Sequence, residues 1–432
     1  MRKAITTMLL SPSHVPRRPR RAQPLRDALL RPIRRLGSGV AALGLLCAAL
    51  PAQAAEFPPA WAPDTPGLHP VLRLQHTCSS NLFGLSSGAA AQRLFGDTQL
   101  SDCWTTAQGG LRFDNDGAVG RLHGHALVER TQYNHYRALD FTGHDVSLTY
   151  NLDHTPHWSA YASASDRAAL QDLTILQAPV LDVVRKQVVS AGGMRRLEGP
   201  FSLTADTALI RIRNAAASQR PYDMDIGLVR LGPRYTSAAG NSVGYVLSLQ
   251  QGRYPNAAMQ TSGAPLADYH QIENAAQFFW SDAAYWQVSG TAGYMQYTAP
   301  SLPSLDFHGA VGDVEAKLAV TGKTALGMKL YRKLMAYNTL TTNYQVVTGA
   351  QLNATWDVDA AVRLGAEWTR DQAFFPGTTR RDNIQGGAIT LAYLPRPGTQ
   401  LALLLGRTNR SSNVVDASYV NRTVSLNLQQ AF

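Results

Sequence analysis

Between residues 55 and 432 the sequence has no apolar run long enough for a transmembrane helix, which excludes a helical membrane protein. It also has no glycine-rich phosphate loop, no His/Cys cluster with metal-ligand spacing and no dinucleotide fingerprint. Neither a cofactor nor a metal is therefore expected. Charge of one sign is scarce too, once its position is considered. The formal net charge is +10, but residues 1–36 hold ten basic side chains, from Arg2 to Arg35, against the single acid Asp27. The remainder is close to neutral, and a nucleic-acid surface, which needs clustered Lys and Arg on the folded protein, is excluded. With 45% hydrophobic residues the chain has ample material for burial, so wholesale disorder is excluded as well.

The basic stretch is followed by the apolar run Gly37–Leu50 and then by Ala52-Gln53-Ala54. A positive region, an apolar region of this length and an A-x-A site predict a secretory signal peptide over residues 1–54. Translation starting at Met8 and an extended leader remain alternatives. A lipoprotein site at Cys47 is disfavoured by Leu46 before it, where a small residue is wanted. Residues 55–67 form a short Pro-rich periplasmic segment carrying Pro58, Pro59, Pro63 and Pro66. Export leaves Cys78 and Cys103, and an oxidising compartment makes a disulfide between them the expectation. Closing a loop of about 25 residues contributes roughly 3 kcal/mol in the chain-entropy estimate.

Strict two-residue alternation fills the rest. Val146, Leu148, Tyr150 and Leu152 alternate with polar neighbours, as do Val243, Tyr245, Leu247 and Leu249. From Tyr344 the apolar set is Tyr344, Val346, Ala350, Leu352, Ala354 and Trp356. Such patterning marks half-buried strands, in a soluble sandwich or in a membrane barrel. Connection lengths decide between them. Short turns at 115–117, 154–157, 197–200, 236–241, 281–284, 321–323, 357–359 and 395–399 alternate with mostly longer connections at 79–102, 167–181, 254–267, 299–305, 374–380 and 409–416. A sandwich has no reason to sort loops by parity, whereas an outer-membrane barrel has periplasmic turns and extracellular loops.

The sequence thus predicts an all-β, transmembrane, antiparallel up-and-down β-barrel over residues 68–432, with eighteen strands and sixteen as the alternative, in the outer membrane of a Gram-negative bacterium. Val420, Val424, Leu426, Leu428 and Phe432 share one parity in the last strand. A carboxy-terminal aromatic on such a strand is the signal presented to barrel-assembly machinery during insertion. Outward aromatics, among them Trp158, Trp280, Trp286, Trp356 and Trp368, are expected in interfacial girdles against outer-membrane lipid. Opposite parity places Asp313, Glu315, Lys317, Lys329, Tyr331, Lys333, Arg363 and Glu367 on the lumen wall, with Gln345, Gln351, Asn353 and Thr355 nearby. The lengths of the loops beginning at Ser79, Arg167 and Tyr254 leave open whether they fold inward as a gate.

Three segments carry a resemblance: Ser79-Ser80-Asn81-Leu82-Phe83, Leu139-Asp140-Phe141 and Arg410-Ser411-Ser412-Asn413. In spacing and in these short motifs the chain resembles the outer-membrane barrels encoded in exopolysaccharide operons, often called the EpsL type. That resemblance implies a conduit for exopolysaccharide export, working with a periplasmic polysaccharide-export protein and inner-membrane synthesis proteins. A passive porin for small solutes is the alternative. Enzyme readings are weak. Gly84-Leu85-Ser86-Ser87-Gly88 matches G-x-S-x-G, but the nucleophile elbow needs a strand, a sharp turn and a helix in an α/β sheet. His123 and His125 lie on the polar face of the third strand, where they are expected as ordinary lumen histidines rather than partners of a catalytic serine.

Overall fold

The computed structural model describes residues 66–432 other than 118, 153–156, 260–265, 283, 338–341 and 343. The expected leader and all but the last two residues of the Pro-rich segment lie outside the described residues. Eighteen strands follow: β1 (Gly67–Ser79), β2 (Asp102–Asp116), β3 (Arg121–Tyr133), β4 (Phe141–Leu152), β5 (Trp158–Leu170), β6 (Val183–Arg196), β7 (Phe201–Asn214), β8 (Met224–Thr236) and β9 (Ser242–Arg253) make the first half. The second half is β10 (Tyr269–Ser281), β11 (Trp286–Thr298), β12 (Phe307–Ala319), β13 (Thr324–Ala336), β14 (Tyr344–Asp357), β15 (Val362–Phe374), β16 (Arg381–Arg396), β17 (Thr399–Ser412) and β18 (Tyr419–Ala431). Each strand pairs with its neighbours in sequence, and β1 pairs antiparallel with both β2 and β18. The sheet closes on itself and no strand is an edge strand, which is what a bilayer demands of β-structure.

In a closed antiparallel sheet, directly opposed residues share a face, so the register carries the two-residue alternation around the wall. One face is exposed and aliphatic: Leu148 is 51% exposed, Val189 58% and Leu209 66%. Leu148 opposes Ala164, Ala164 opposes Val189 and Val189 opposes Leu209, so these residues form one outward row across four strands. Aliphatic exposure on this scale is sustained by lipid and not by water. Among the described residues no helix is long and apolar enough to cross a membrane; the strands cross it.

The two ends of the strands differ. At the periplasmic end Asp282 accepts hydrogen bonds from the backbone N–H groups of Ala284, Tyr285 and Trp286 at 2.8–3.0 Å, and Asp359 accepts from Ala361 and Val362. Those donors hold both carboxyls below the usual range. The tightest turn, between β16 and β17, uses Gly398 at φ +82°, where a Cβ would lie 2.6 Å from the carbonyl oxygen of Ala431. The extracellular connections are L1 (80–101), L2 (134–140), L3 (171–182), L4 (215–223), L5 (254–268), L6 (299–306), L7 (337–343), L8 (375–380) and L9 (413–418). L1 contains helix α1 (Gly88–Phe95), N-capped by Ser87, and L3 contains the single turn α2 (Leu173–Leu176), N-capped by Asp172. Cys78 and Cys103 oppose one another across β1 and β2 and are joined by a disulfide at the feet of L1.

Candidate functional site

The eight side chains assigned to the lumen from parity all lie on the face opposite the exposed aliphatic row. Register brings four of them together. Asp313 stands opposite Tyr331 and Glu315 opposite Lys329, while Lys329 Nζ is 3.8 Å from Asp313 and Lys317 Nζ 3.0 Å from Glu315. The Tyr331 hydroxyl donates to Asp371 at 2.5 Å across Gly349, and the ammonium of Lys333 lies 4.9 Å from the Tyr331 ring centroid. Glu367 on β15 borders this patch through Gln351, which stands opposite Lys329, whereas Arg363 is apart from it and pairs with Asp357 near the periplasmic end. Asp371, in phase with Glu367, completes the patch, and that phase was the signal for it in the sequence.

Above this wall the barrel departs from its own parity. The pairing of β12 with β13 stops at Gly312 and Arg332, although β12 starts at Phe307 and β13 runs on to Ala336. Gly312 has φ +155° at that break. Beyond it the β13–β14 hairpin leans off the wall, and both faces of Tyr344–Val347 are buried. One face, Leu334, Tyr344 and Val346, packs on Met295, Tyr297, Leu305 and Val311. Tyr344 and Tyr297 rings are 4.6 Å apart, and the Tyr344 hydroxyl donates to the carbonyl of Leu305 at 2.6 Å. Val347 on the other face packs with Tyr337, Ala373 and Phe375. Tyr344 and Val346 were assigned to the lipid face by alternation. The assignment is corrected because the strand end turns inward, so the parity rule of a continuous wall no longer applies there.

A second core lies under L1, L2 and L3, where Leu82, Phe83, Leu85, Tyr133, Tyr136, Leu139 and Leu173 pack together. Phe83 is wholly buried, with edge-on contacts to Phe95 and Tyr136. Gly84 sits at φ +60° where a Cβ would meet the Tyr419 ring at 2.9 Å and Thr174 at 3.1 Å. L1, L3 and β18 therefore converge at this residue, which excludes any side chain there. Ile175 of L3 packs against the Tyr337–Phe375 cluster, so L3 reaches from β5 and β6 to the wall near β15 and crosses the lumen. Arg410 on β17 anchors the same region through Asp382, which also accepts from Arg380 at 3.0 Å. These loops leave a cavity of about 360 Å³ lined by Arg73, Gln75, Gln108, Glu129, Arg167 and Asp172, among others. Burial pushes the Asp172 carboxyl up to about 6, despite hydrogen bonds from the Thr174 backbone and hydroxyl.

His125 accepts or donates at both ring nitrogens, 3.0 Å from Ser147 Oγ and 3.0 Å from Asp145. The order is that of a Ser-His-Asp relay, but the backbone N–H groups on either side belong to strand ladders, leaving no pair to hold an oxyanion. His123 contacts Asn151 instead. Ser86 donates to Asp416, and Ser87 caps α1, so the G-x-S-x-G string is a helix entry in a loop. The grouping of His76, Cys78 and Cys103 is closed as a ligand set by the disulfide.

No family model and no curated protein matches the chain. Solved structures do. OccK2 (OpdF) of Pseudomonas aeruginosa is 10% identical at a TM-score of 0.49, with 86% of this chain and 99% of that one covered. OpdK of the same organism, in a structure with vanillate, is 8% identical at 0.46, covering 86% and 100%. OccAB4 of Acinetobacter baumannii is 9% identical at 0.48, covering 85% and 99%. The shared feature is the β-barrel; the closed sheet with its exposed aliphatic face is what places this chain in the outer membrane.

The exopolysaccharide-barrel resemblance, and with it the polymer conduit and its export partners, is corrected: the solved structures similar to this chain include OpdK, OccK2 and OpdL. The physical reason lies in what the three segments do. Ser79 donates to Asn421 and Asn81 ties L1 through Leu85; Leu139 is fully buried and Asp140 accepts from the backbone of Tyr133; Arg410 is fixed by Asp382, and Asn413 accepts from the backbone of Arg381. All three segments tie loops to strand ends of this barrel, a packing role independent of what passes through the lumen.

Proposed function

We propose that the protein is a passive porin for small polar solutes, with no catalytic step. The observation that carries this is the loop-packed extracellular lumen. An eighteen-strand barrel is wide enough for a water-filled channel, yet here L3 crosses the lumen and the β13–β14 hairpin packs inward against β11 and β12, and beside L3 lies a cavity of about 360 Å³ lined by charged and polar side chains among others. A space of that size matches a small-molecule site. In this reading Asp313, Glu315, Lys317, Lys329, Tyr331, Lys333, Arg363 and Glu367 form a mixed-charge wall along the solute's path, and insertion proceeds through barrel-assembly machinery. Liposome swelling with sugars of rising size tests it. Monosaccharides are expected to enter and oligosaccharides to be excluded; equal entry of both contradicts the reading. A serine-reactive fluorophosphonate is expected to leave Ser147 unlabelled, and labelling abolished by His125→Ala would make the lumen a hydrolase.

A further inference from the structure

The outer wall carries different side chains at its two ends. Near the periplasmic turns, outward positions hold Trp158, Phe201, Tyr235, Trp280, Trp286 and Trp356, all exposed. Near the extracellular loops, outward positions hold exposed arginines instead, including Arg130, Arg332, Arg370, Arg407 and Arg422. Lysines do not share that placement: Lys317, Lys329 and Lys333 all face the lumen.

The arginines are densest over β6–β9, beside the two outward strand acids, Asp166 and Asp225. Arg185 Nε donates to Asp166 at 2.9 Å, and His144 Nε2 lies 3.3 Å from the same carboxylate. Asp225 accepts from Arg213 at 2.7 Å and Arg211 at 3.4 Å, and Arg253 stands opposite Asp225 in register. Four guanidinium groups against two carboxylates leave net positive charge, and it does not titrate away. Asp166 holds the fork of Arg185, and Asp225 those of Arg211 and Arg213; the terminal nitrogens of Arg213 are filled by Asp225 and by the carbonyls of Ile212 and Met224, whereas further N–H donors remain on Arg185 and Arg211. Immediately below lies an open groove of about 740 Å³ whose lining includes Leu148, Val189 and Leu209 as well as Asp166, Arg211 and Arg253.

Height decides what fills this groove. Asp166 is eight residues above Trp158 on β5, about 26 Å of strand and about 20 Å along the membrane normal at the tilt of such barrels. That is the outer-leaflet edge of the apolar band, so the surface is bathed by lipid. Guanidinium groups recognise phosphate bidentately and are weakly hydrated, which suits this depth better than ammonium does.

We propose that the groove binds a phosphorylated, acylated lipid of the outer leaflet, with Arg185, Arg211 and Arg253 on its phosphate, Arg213 held beside them by Asp225, and Leu148, Val189 and Leu209 against an acyl chain. The site is independent of what passes through the lumen. Native mass spectrometry of the detergent-purified barrel with bisphosphorylated lipid A tests it, with dephosphorylated lipid A as the comparison. The combined variant R185Q/R211Q/R253Q is expected to lower binding about tenfold or more, as loss of several charge-assisted bonds requires, and removal of the phosphates is expected to do the same to the wild type. Arg195→Gln, an outward change at the periplasmic end where Arg195 stacks on Trp158, is expected to leave binding unchanged. R185K/R211K/R253K keeps the charge should the glutamine set fail to fold, and is expected to bind more weakly than wild type because the forks are gone. Wild-type binding by either triple variant, equal binding of dephosphorylated lipid, or an equal loss in Arg195→Gln overturns the proposal.

Discussion

The periplasmic and extracellular ends of this barrel are built on different physics. The periplasmic end is local: each turn closes within a few residues, and Asp282 and Asp359 satisfy the backbone donors of their own turns. The extracellular end is non-local: Phe83 of L1 packs with Tyr136 of L2, Ile175 of L3 with Phe375 of L8, and Tyr344 with Tyr297. A wall needs only alternation and closure. A pore of defined size needs loops from distant parts of the chain to meet inside it, and that is where this protein places its buried aromatics.

The contrast predicts that extracellular substitutions alter permeation while leaving the wall intact. The largest effect is expected from Phe83→Ala or Phe375→Ala, each removing a fully buried ring at a cost of about 3–5 kcal/mol. Limited proteolysis is expected to cut L1 or L8 while the folded barrel persists on unheated gels. Loss of the whole barrel would show that wall and loops are one cooperative unit.

Next comes the disulfide. Cys78→Ser with Cys103→Ser is expected to cost roughly 3 kcal/mol by the chain-entropy estimate, read as earlier proteolysis of residues 80–101. An unchanged L1 would mean that its apolar core alone sets its stability.

A smaller effect is expected from pH. The Asp172 carboxyl is raised to about 6 by burial, above its ordinary range. The folded loop therefore keeps a proton that the unfolded loop has lost, and stability of the L3 seat falls as pH rises from about 4 to about 6. The hydrogen-exchange protection factor at Leu173–Leu176, that is, the rate corrected for the intrinsic base-catalysed rise with pH, is expected to fall across that window and to be flat in Asp172→Asn. A pH response that survives the substitution would place the titrating group elsewhere.

Much of the wall was legible in the sequence. The eighteen strands, the parity of turn and loop lengths and the outward set from Val420 to Phe432 follow from a period of two, which a membrane wall enforces at every residue. The Cys78–Cys103 disulfide was also legible, and the structure contains it. The lumen's filling was not. Tyr344 and Val346 carry the same alternation as Leu352 and Trp356, and only the break at Gly312 turns them inward. Trp158, Trp280, Trp286 and Trp356 do lie outward at the periplasmic ends, but Trp368 stands mid-strand, because alternation gives the face and not the depth. The segments that suggested an exopolysaccharide barrel were misleading for a related reason: residues that tie loops to strand ends serve the packing of the barrel, independent of what passes through the lumen. The Ser147–His125–Asp145 contact depends on register between β3 and β4, which no single-strand pattern contains.

The central claim is that the inward-packed extracellular elements, L3 and the β13–β14 hairpin, together narrow the channel. Single-channel conductance of Tyr344→Ala against wild type in planar bilayers tests it most directly. Removing the ring that bridges Tyr297 and the Leu305 carbonyl is expected to raise conductance severalfold and admit larger sugars. A conductance identical to wild type, from a barrel shown to be folded, would contradict the account.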